Sequence, residues 1–287
     1  MFKKLFFLGL VVFCCQALVN PLVLAKAKPR VAIIIDDAGP RGGYYKSLFA
    51  LPGKVTVAII PATVRAKEIA KRAKAKGFEV IGHIPMEPLY KKIESAKMLR
   101  TSMSKQGIKS NLDFYLSALP DIAGINNHMG SKVSIHKDTL AQIMQVLKRR
   151  KMFFIDSRTN SKSIIPAVAK QYGVQCLRSD IFIDGDQDPI EIEEKLHRLV
   201  NIARKRGYAI GIGHIHRQNT LRAIAKIMKK YGREVRFVGV SEIVYNKKMR
   251  QSDSRVRDKK AVEKKQLYNL DLQKRKPEGE ELEKIFF

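Results

Sequence analysis

The feature that most constrains the fold is an alternation of short apolar runs with longer amphipathic segments between Arg30 and Tyr245. The apolar runs are predicted strands, and several are rich in Val and Ile, which is typical of strands buried in a parallel sheet. They are Val31–Ile35, Val55–Ile60, Phe78–Ile81, Ile122–Ile125, Met152–Ile155, Val174–Leu177, Ala209–Ile212 and Val235–Val238. The predicted helices are Thr63–Lys76, Gln106–Leu119, Lys137–Arg150, Pro189–Arg206 and Gln218–Tyr231. The alternation predicts one α/β domain, either a barrel or a doubly wound sheet.

Glycine residues mark the boundaries between predicted helices and the strands that follow them. A Lys–Gly, Arg–Gly or Tyr–Gly pair stands at each such boundary, with the glycine at Gly77, Gly173, Gly207 or Gly232. Basic residues in the last turn suit the helix dipole, and glycine readily adopts the left-handed conformation that ends a helix. We therefore expect these four glycines to end helices in that conformation.

The first 25 residues have the order of a secretory signal peptide. Two lysines precede the apolar run Leu5–Cys15, apolar character continues to Leu24, and Ala25 offers a small residue for cleavage. Pro21 and its polar neighbours argue against a stable membrane-spanning helix. We expect residues 1–25 to direct export to the periplasm or cell envelope, with an uncleaved anchor as the alternative.

The composition of the chain changes near residue 246. Residues 29–245 carry the strand–helix alternation and form the predicted α/β domain, whereas residues 246–287 are dense in Lys, Arg, Glu and Gln. A segment of that composition buries too little apolar surface to fold by itself, so we expect a charged, disordered tail. Cys176 is the only cysteine after the predicted signal, so the domain holds no internal disulfide.

The charge of the chain is strongly positive. Lys and Arg number 55 against 27 Asp and Glu, which gives a formal net charge of +28. Such a field attracts nucleic acids, anionic membrane surfaces and acidic envelope polymers alike. The sequence has no zinc-finger spacing, aromatic strand motif or basic heptad region, so we expect no nucleic-acid partner. Association with a membrane surface through the basic residues remains an open alternative.

Chemically active residues follow the carboxyl ends of the predicted strands. They are Asp36 and Asp37; His83 and Glu87; Asn126, Asn127 and His128; Asp156, Ser157 and Arg158; and His214 and His216. The carboxyl ends of parallel strands form the edge on which α/β barrels and open sheets build their sites. We therefore expect residues far apart in the sequence to converge on one site.

Several of these residues suit a divalent metal. Adjacent carboxylates at Asp36 and Asp37 point in different directions, so one can bind a metal while the other acts as a base. His83 and His128 can ligate a metal through neutral imidazole. Glu87 could be a further ligand, an acceptor for a ligating histidine or an ion-pair partner.

The remaining residues suit roles around such a centre. Asn126 and Asn127 could hold a substrate through their amides. Asp156 could orient a catalytic imidazole, and Arg158 could pair with a site carboxylate and tune its pKa.

The last strand-end motif suits proton transfer. His214 could protonate a leaving group. His216 could pair with it on one metal or contact the substrate. Ser157 lacks the glycine pattern of a nucleophile elbow, so we place it on the substrate side of the site rather than as a nucleophile.

Taken together, these motifs resemble those of the divergent polysaccharide deacetylases. The matching motifs are Ile33–Gly39 (IIIDDAG), Gly82–Pro88 (GHIPMEP), Asn126–Ser131 (NNHMGS), Ile155–Thr159 (IDSRT) and Ile212–His214 (IGH). The resemblance covers about Pro29 to Val244. It implies an α/β fold, a distorted (β/α) barrel of about seven to eight parallel strands in a single domain.

The resemblance also implies roles for the site residues. Asp36 would be the base, Asp37 and His83 metal ligands, and His214 the acid. In the wider superfamily an H-x-x-x-H motif supplies two ligands, but here Glu87 stands at the second position. We expect His128 to replace the missing imidazole, with Glu87 as the alternative ligand.

The activity implied is hydrolysis of the acetamide groups of an N-acetylated envelope glycan, with a divalent metal as cofactor and zinc as the expected ion. The alternative is a non-catalytic periplasmic barrel, derived from the same scaffold, that binds a glycan or a partner protein. The change at the H-x-x-x-H motif favours the second interpretation, and the presence of both aspartates with His214 favours the first.

Overall fold

The computed structural model describes residues 27–90 and 97–246. The predicted signal peptide and all but the first residue of the predicted tail lie outside the described residues. The strands are β1 Arg30–Ala38, β2 Thr56–Ile59, β3 Glu79–Met86, β4 Gly124–Met129, β5 Phe153–Asp156, β6 Cys176–Arg178, β7 Ile181–Phe182, β8 Tyr208–His214 and β9 Arg236–Val238. The α-helices are α1 Tyr45–Phe49, α2 Ala66–Ala75, α3 Lys105–Ala118, α4 Lys137–Arg149, α5 Ile165–Tyr172, α6 Pro189–Arg206 and α7 Gln218–Tyr231. A 3₁₀ turn spans Val133–Ile135, and residues 240–246 are also helical.

The strands form one parallel sheet that curls into a distorted barrel. Eight strands lie side by side in the order β6–β5–β4–β3–β2–β1–β8–β7, and β9 pairs with the first residues of β1. The outer strands β6 and β7 are consecutive in the chain, and the two residues between them span the gap in the sheet. The amide of Ser179 donates to the carbonyl of Asp156 in β5, and that of Asp180 donates to Ile210 in β8. The predicted single-domain α/β barrel is thereby confirmed.

The core has an outer and an inner layer. Outward side chains of the strands pack against α1, α2, α6 and α7 on one side and against α3, α4 and α5 on the other. Inward side chains, such as Ile34, Ile81 and Ile212, fill the barrel itself. Ile243 and Val244 of the final helical segment join this inner cluster. The strand segments are therefore buried on both faces, which explains their continuous apolar runs.

The observed elements differ from the predicted ones in three respects. The sequence pattern missed α1, α5 and the two-residue strand β7 because each is too short to show a period. Several strands also run past their apolar segments, so that His83 lies within β3 and His128 within β4. One predicted cap was wrong: Gly77, Gly173 and Gly207 have positive φ, but Gly232 is in the right-handed region.

Within the described residues, no helix combines the length and apolar character needed to cross a membrane. The end of the barrel formed by the carboxyl ends of the strands is called the mouth below. The polar residues singled out in the sequence lie at or near this end.

Candidate metal and catalytic site

The two adjacent aspartates of β1 reach the same point, contrary to our expectation that they diverge. Neighbouring residues of a regular strand face opposite sides, so only Asp36 should share the inward face of Ile34. The register of β1 against β2 shifts after Ile35, and Asp37 has a left-handed φ of 63°. Both carboxylates consequently approach Nε2 of His83, Asp36 Oδ2 at 3.7 Å and Asp37 Oδ1 at 3.2 Å.

A buried amide fixes the orientation of His83. Asn126 Nδ2 donates to Asp36 Oδ1 at 2.9 Å, and its Oδ1 lies 2.7 Å from Nδ1 of His83. A carboxylate only accepts hydrogen bonds, so the amide NH₂ must face Asp36 and its carbonyl must face His83. Nδ1 of the His83 ring therefore carries a proton, and Nε2 points towards Asp37. This arrangement prepares Nε2 as a metal ligand.

Three ligand-type atoms form a nearly equilateral triangle at the mouth. Asp37 Oδ1 lies 3.2 Å from His83 Nε2 and 2.9 Å from His128 Nδ1, and the two ring nitrogens lie 3.1 Å apart. Ligands bound tetrahedrally at about 2.0–2.1 Å lie roughly 3.3 Å from one another, so the triangle resembles one face of a zinc tetrahedron. Within the described residues, this trio is the one His/Cys/Asp/Glu group close enough to hold a metal ion.

The carboxylate of Asp37 supports the same interpretation. Its Oδ1 is buried, and no described residue makes a well-directed hydrogen bond to it, although two ring nitrogens stand close by. Burial alone would raise the pKa of Asp37, but the two imidazoles outweigh burial and hold that pKa far below its usual range. The charged Oδ1 of Asp37 faces two imidazole nitrogens, neither of which is directed to donate a hydrogen bond to it. Such an arrangement suits a cation bound between the three atoms. Two imidazole nitrogens and one carboxylate oxygen are a donor set that zinc accepts.

Asp37, His83 and His128 are called the metal trio below, and Glu87 is not part of it. Glu87 accepts hydrogen bonds from the amide and hydroxyl of Thr101 at 2.8 Å each, and its other oxygen pairs with Lys132 at 2.8 Å. Burial acts to raise the pKa of Glu87, but Lys132 and Thr101 outweigh it and lower that pKa to about 2. Glu87 thus holds together the segments that follow β3 and β4.

His214 lies on the opposite side of the aspartates and has its own carboxylate partner. In the β1–β8 register it stands directly opposite Asp36. Its Nδ1 lies 2.8 Å from Oδ1 of the fully buried Asp184, whose Oδ2 accepts from the His214 amide and from Thr220. Burial lowers the pKa of His214, but the hydrogen bond and charge of Asp184, helped by Asp36 and Asp37, raise it to about 9. With this pKa the ring is protonated and positively charged at neutral pH.

Asp184 is the site residue that sequence analysis missed. It follows the short apolar run Ile181–Ile183 in the same way that Asp36 follows its strand. Because β7 is only two residues long, the run carried no strand signal, although the strand-end rule applied to it would have selected Asp184.

The residues predicted around β5 mostly hold the mouth together. Asp156 accepts from Ser163, from Arg178 and from the Arg158 amide, and the structure does not bring it to an imidazole. Neighbouring residues of a strand face opposite sides, and Ile155 faces the inside of the barrel. The side chain of Asp156 therefore faces outward, towards the start of α5. Arg158 is exposed, with φ of 59°, and its guanidinium reaches the Ser179 carbonyl at 3.4 Å rather than a site carboxylate.

Other predicted residues border the site. The Ser157 hydroxyl accepts from Asn126 at 3.3 Å, which links it to the Asp36–His83 pair. Asn127 accepts from the Ser157 amide and donates to the Met129 carbonyl, so it fixes the loop rather than facing the metal trio. His216 is about half exposed, and its Nδ1 lies 3.5 Å from Asp37 Oδ2.

The fold and the site together define a class: a curled parallel barrel of the polysaccharide deacetylase type, with an Asp–Asp pair, a metal-type trio and a histidine–aspartate pair at its mouth. The chain belongs to the divergent polysaccharide deacetylase family, whose profile matches residues 33–244. It is 32% identical to an uncharacterized protein of Haemophilus influenzae over 224 residues, 78% of this chain and 79% of that one. It is also 32% identical to the Escherichia coli protein YibQ over 228 residues, 79% of this chain and 70% of that one.

A solved structure shares the fold. The crystal structure of the uncharacterized protein ATU2773 from Agrobacterium tumefaciens superposes with a TM-score of 0.72 at 25% identity, covering 76% of this chain and 89% of that one. The profile match confirms the predicted family, and the solved structure shows the same fold.

Proposed function

We propose that this protein is an exported, metal-dependent amide hydrolase that removes acetyl groups from an N-acetylated glycan of the cell envelope. One observation carries the proposal: a ligand trio, a buried carboxylate and a charged imidazole with its own aspartate meet at one mouth. These are the three parts that hydrolysis of an acetamide needs.

Asp37, His83 and His128 would hold the cation, for which we propose zinc. When bound there, a divalent cation supplies polarisation of the acetamide carbonyl and acidifies water. Asp36 takes the proton of the attacking water. Burial raises the pKa of Asp36, even though His83, His214 and the Asn126 hydrogen bond act in the opposite direction, and a raised pKa makes it a stronger base.

His214 completes the reaction. The oxygen of the water bonds to the carbonyl carbon, the bond between that carbon and nitrogen breaks, and the imidazolium gives its proton to the departing amine. Acetate and a free amino sugar are the products. Asp184 keeps His214 charged before the transfer and orients its ring through Nδ1.

The surface around the mouth supports a carbohydrate substrate. Exposed large hydrophobic side chains among the described residues number eight, and six of them follow carboxyl ends of strands. The six are Tyr44, Val64, Leu89, Tyr90, Ile135 and Ile190, whereas Phe114 and Tyr245 lie elsewhere. Exposed apolar groups gathered at one face mark a binding surface, and aromatic rings suit the apolar faces of sugars.

The test is acetate release from N-acetylglucosamine oligomers by the zinc-loaded protein, beside Asp36→Asn. We expect release by the parent and its loss in the variant, with the metal retained because Asp36 is not a ligand. Metal binding without acetate release from any N-acetylated glycan would favour the non-catalytic binding barrel.

Export is a separate part of the proposal and has its own test. Protein recovered from the envelope fraction should begin at Lys26, since cleavage is expected after Ala25. Recovery from the cytoplasm with an intact N-terminus would contradict export. Association with a membrane surface remains a prediction, to be measured by flotation with anionic vesicles.

A further inference from the structure

A cavity of about 250 Å³ lies next to the His214–Asp184 pair and is lined in part by His216. Its lining includes Tyr44, Gln187, His216, Arg217 and Asn219, together with the buried Asp184. Asp184 is also the partner of His214. The cavity therefore adjoins the acid through a shared carboxylate.

The chemistry of the reaction indicates what this cavity holds. The metal trio and Asp36 act on the carbonyl and the water, whereas His214 acts on the nitrogen that departs. That nitrogen stays attached to the sugar after the acetyl group leaves. The sugar must therefore occupy the His214 side of the mouth, where the cavity lies.

The lining of the cavity carries a cation that has no acidic partner. Arg217 is partly buried, and no ion pair involves it within the described part of the chain, in contrast to arginines such as Arg150 and Arg206. Asp184 lines the same cavity, but its hydrogen bonds go to His214 and Thr220, and it forms no ion pair with Arg217.

Three other polar side chains of the lining are free to bind a ligand. The side chains of Tyr44, Gln187 and Asn219 make no hydrogen bond to any described residue, and all three line the same cavity. A hydroxyl and two amides suit the hydroxyl groups of a sugar, while a guanidinium suits a carboxylate through paired hydrogen bonds.

We propose that this cavity is a sugar subsite that selects a carboxylate-bearing glycan, with Arg217 pairing with the carboxylate. The inference rests on the proposed function, because the hydrolytic roles of His214 and Asp36 place the sugar there. It adds a substrate class: an N-acetylated glycan whose units carry acid groups, rather than a neutral one.

The test is a binding titration, which does not require turnover. The probe is a tetrasaccharide of N-acetylhexosamine units, half of which carry a lactyl carboxylate, and its matched control is the same compound with each carboxylate converted to a carboxamide. Both are titrated by calorimetry into zinc-loaded Asp36→Asn protein and into the same protein with Arg217→Gln added. Arg222→Gln is the matched control variant, since Arg222 is an exposed arginine of α7 outside the cavity.

The expected result is a preference for the carboxylate probe that depends on Arg217. A hydrogen bond to a charged group is worth roughly 1.5–3 kcal/mol, so the carboxylate probe should bind about 10- to 100-fold more tightly than the carboxamide. Arg217→Gln should abolish that difference and Arg222→Gln should leave it unchanged. The proposal would be overturned if Asp36→Asn protein showed no preference for the carboxylate probe. It would also be overturned if Arg217→Gln and Arg222→Gln lost that preference equally.

The two proposals fail separately. Acetate release from a neutral oligomer without any carboxylate preference would leave the hydrolase standing and remove the subsite. A preference that depends on Arg217, in a protein that releases no acetate, would establish the acid-binding subsite and remove the hydrolase.

Discussion

Oδ1 of Asp37 lies 2.9 Å from Nδ1 of His128, and neither this ring nitrogen nor that of His83 is in line to donate a hydrogen bond to it. A buried carboxylate oxygen without a directed donor is costly unless a positive charge faces it. The left-handed backbone of Asp37 is a further cost, and strain of this kind persists where the surrounding structure enforces it for function. Both observations are explained if the trio exists to hold a cation.

The support given to His83 by Asn126 leads to the first prediction. Asn126→Leu removes the acceptor that fixes the His83 ring and the donor that holds Asp36. We expect zinc affinity to fall by about 10- to 100-fold, the usual effect of losing a hydrogen-bond partner of a ligand. Competition titration with a chelating dye measures it, and Asn201→Leu on the exposed surface of α6 is the control. Equal affinities in all three proteins would contradict the role given to Asn126.

The His214–Asp184 pair predicts the pH dependence of the reaction. The acid form of His214 is active, so activity should be present below the pKa of about 9 and should fall as the pH rises through it. Asp184→Asn removes the negative charge, so the pKa of His214 should fall towards the ordinary value of about 6.5. The alkaline limb of the kcat/KM profile should then move to lower pH.

The groups facing His214 make this prediction specific. Burial lowers the pKa of His214, whereas Asp36 and Asp37 raise it together with Asp184, so losing the Asp184 charge should move the limb only towards lower pH. An alkaline limb at the same pH in parent and variant would show that His214 is not the proton donor.

The packing of side chains inside the barrel gives a prediction about stability. Ile243 is fully buried among the inward side chains, so Ile243→Ala removes packing inside the barrel. We expect a loss of about 2–5 kcal/mol in the free energy of unfolding, measured by denaturant titration. Ile190→Ala is the matched control, because Ile190 is 69% exposed and should change stability by less than about 0.5 kcal/mol. A loss confined to the control would contradict the described core.

The sequence pattern was sufficient for a parallel α/β domain because its strands are buried on both faces, whereas the barrel followed from the family resemblance. The predicted bounds of α6 and α7 agree with those observed, since both helices have clear amphipathic patterns and recognisable ends. Convergence of Asp36, His83, His128 and His214 also follows from the strand-end rule. These features depend on local pattern and on topology, and both can be read from a sequence.

What the sequence could not predict is the direction in which strand-end side chains point. Asp37 faces inward only because β1 changes register and Asp37 turns left-handed. Asp156 faces outward because β5 stays regular through it. A register shift leaves no periodic signal, so the same rule placed both residues in the site although only Asp37 reaches it.

The measurement that tests the central claim most directly is the divalent metal content of the purified protein and five variants after reconstitution with zinc. The parent should hold one ion per chain at the trio of Asp37, His83 and His128. Asp37→Ala, His83→Ala and His128→Ala should each lose it while keeping the parent's circular dichroism. Glu87→Gln and His197→Gln should retain it, because Glu87 pairs with Lys132 and His197 with Tyr231. A parent without metal, or a His128→Ala variant that keeps the ion while Glu87→Gln loses it, would contradict the metal centre described.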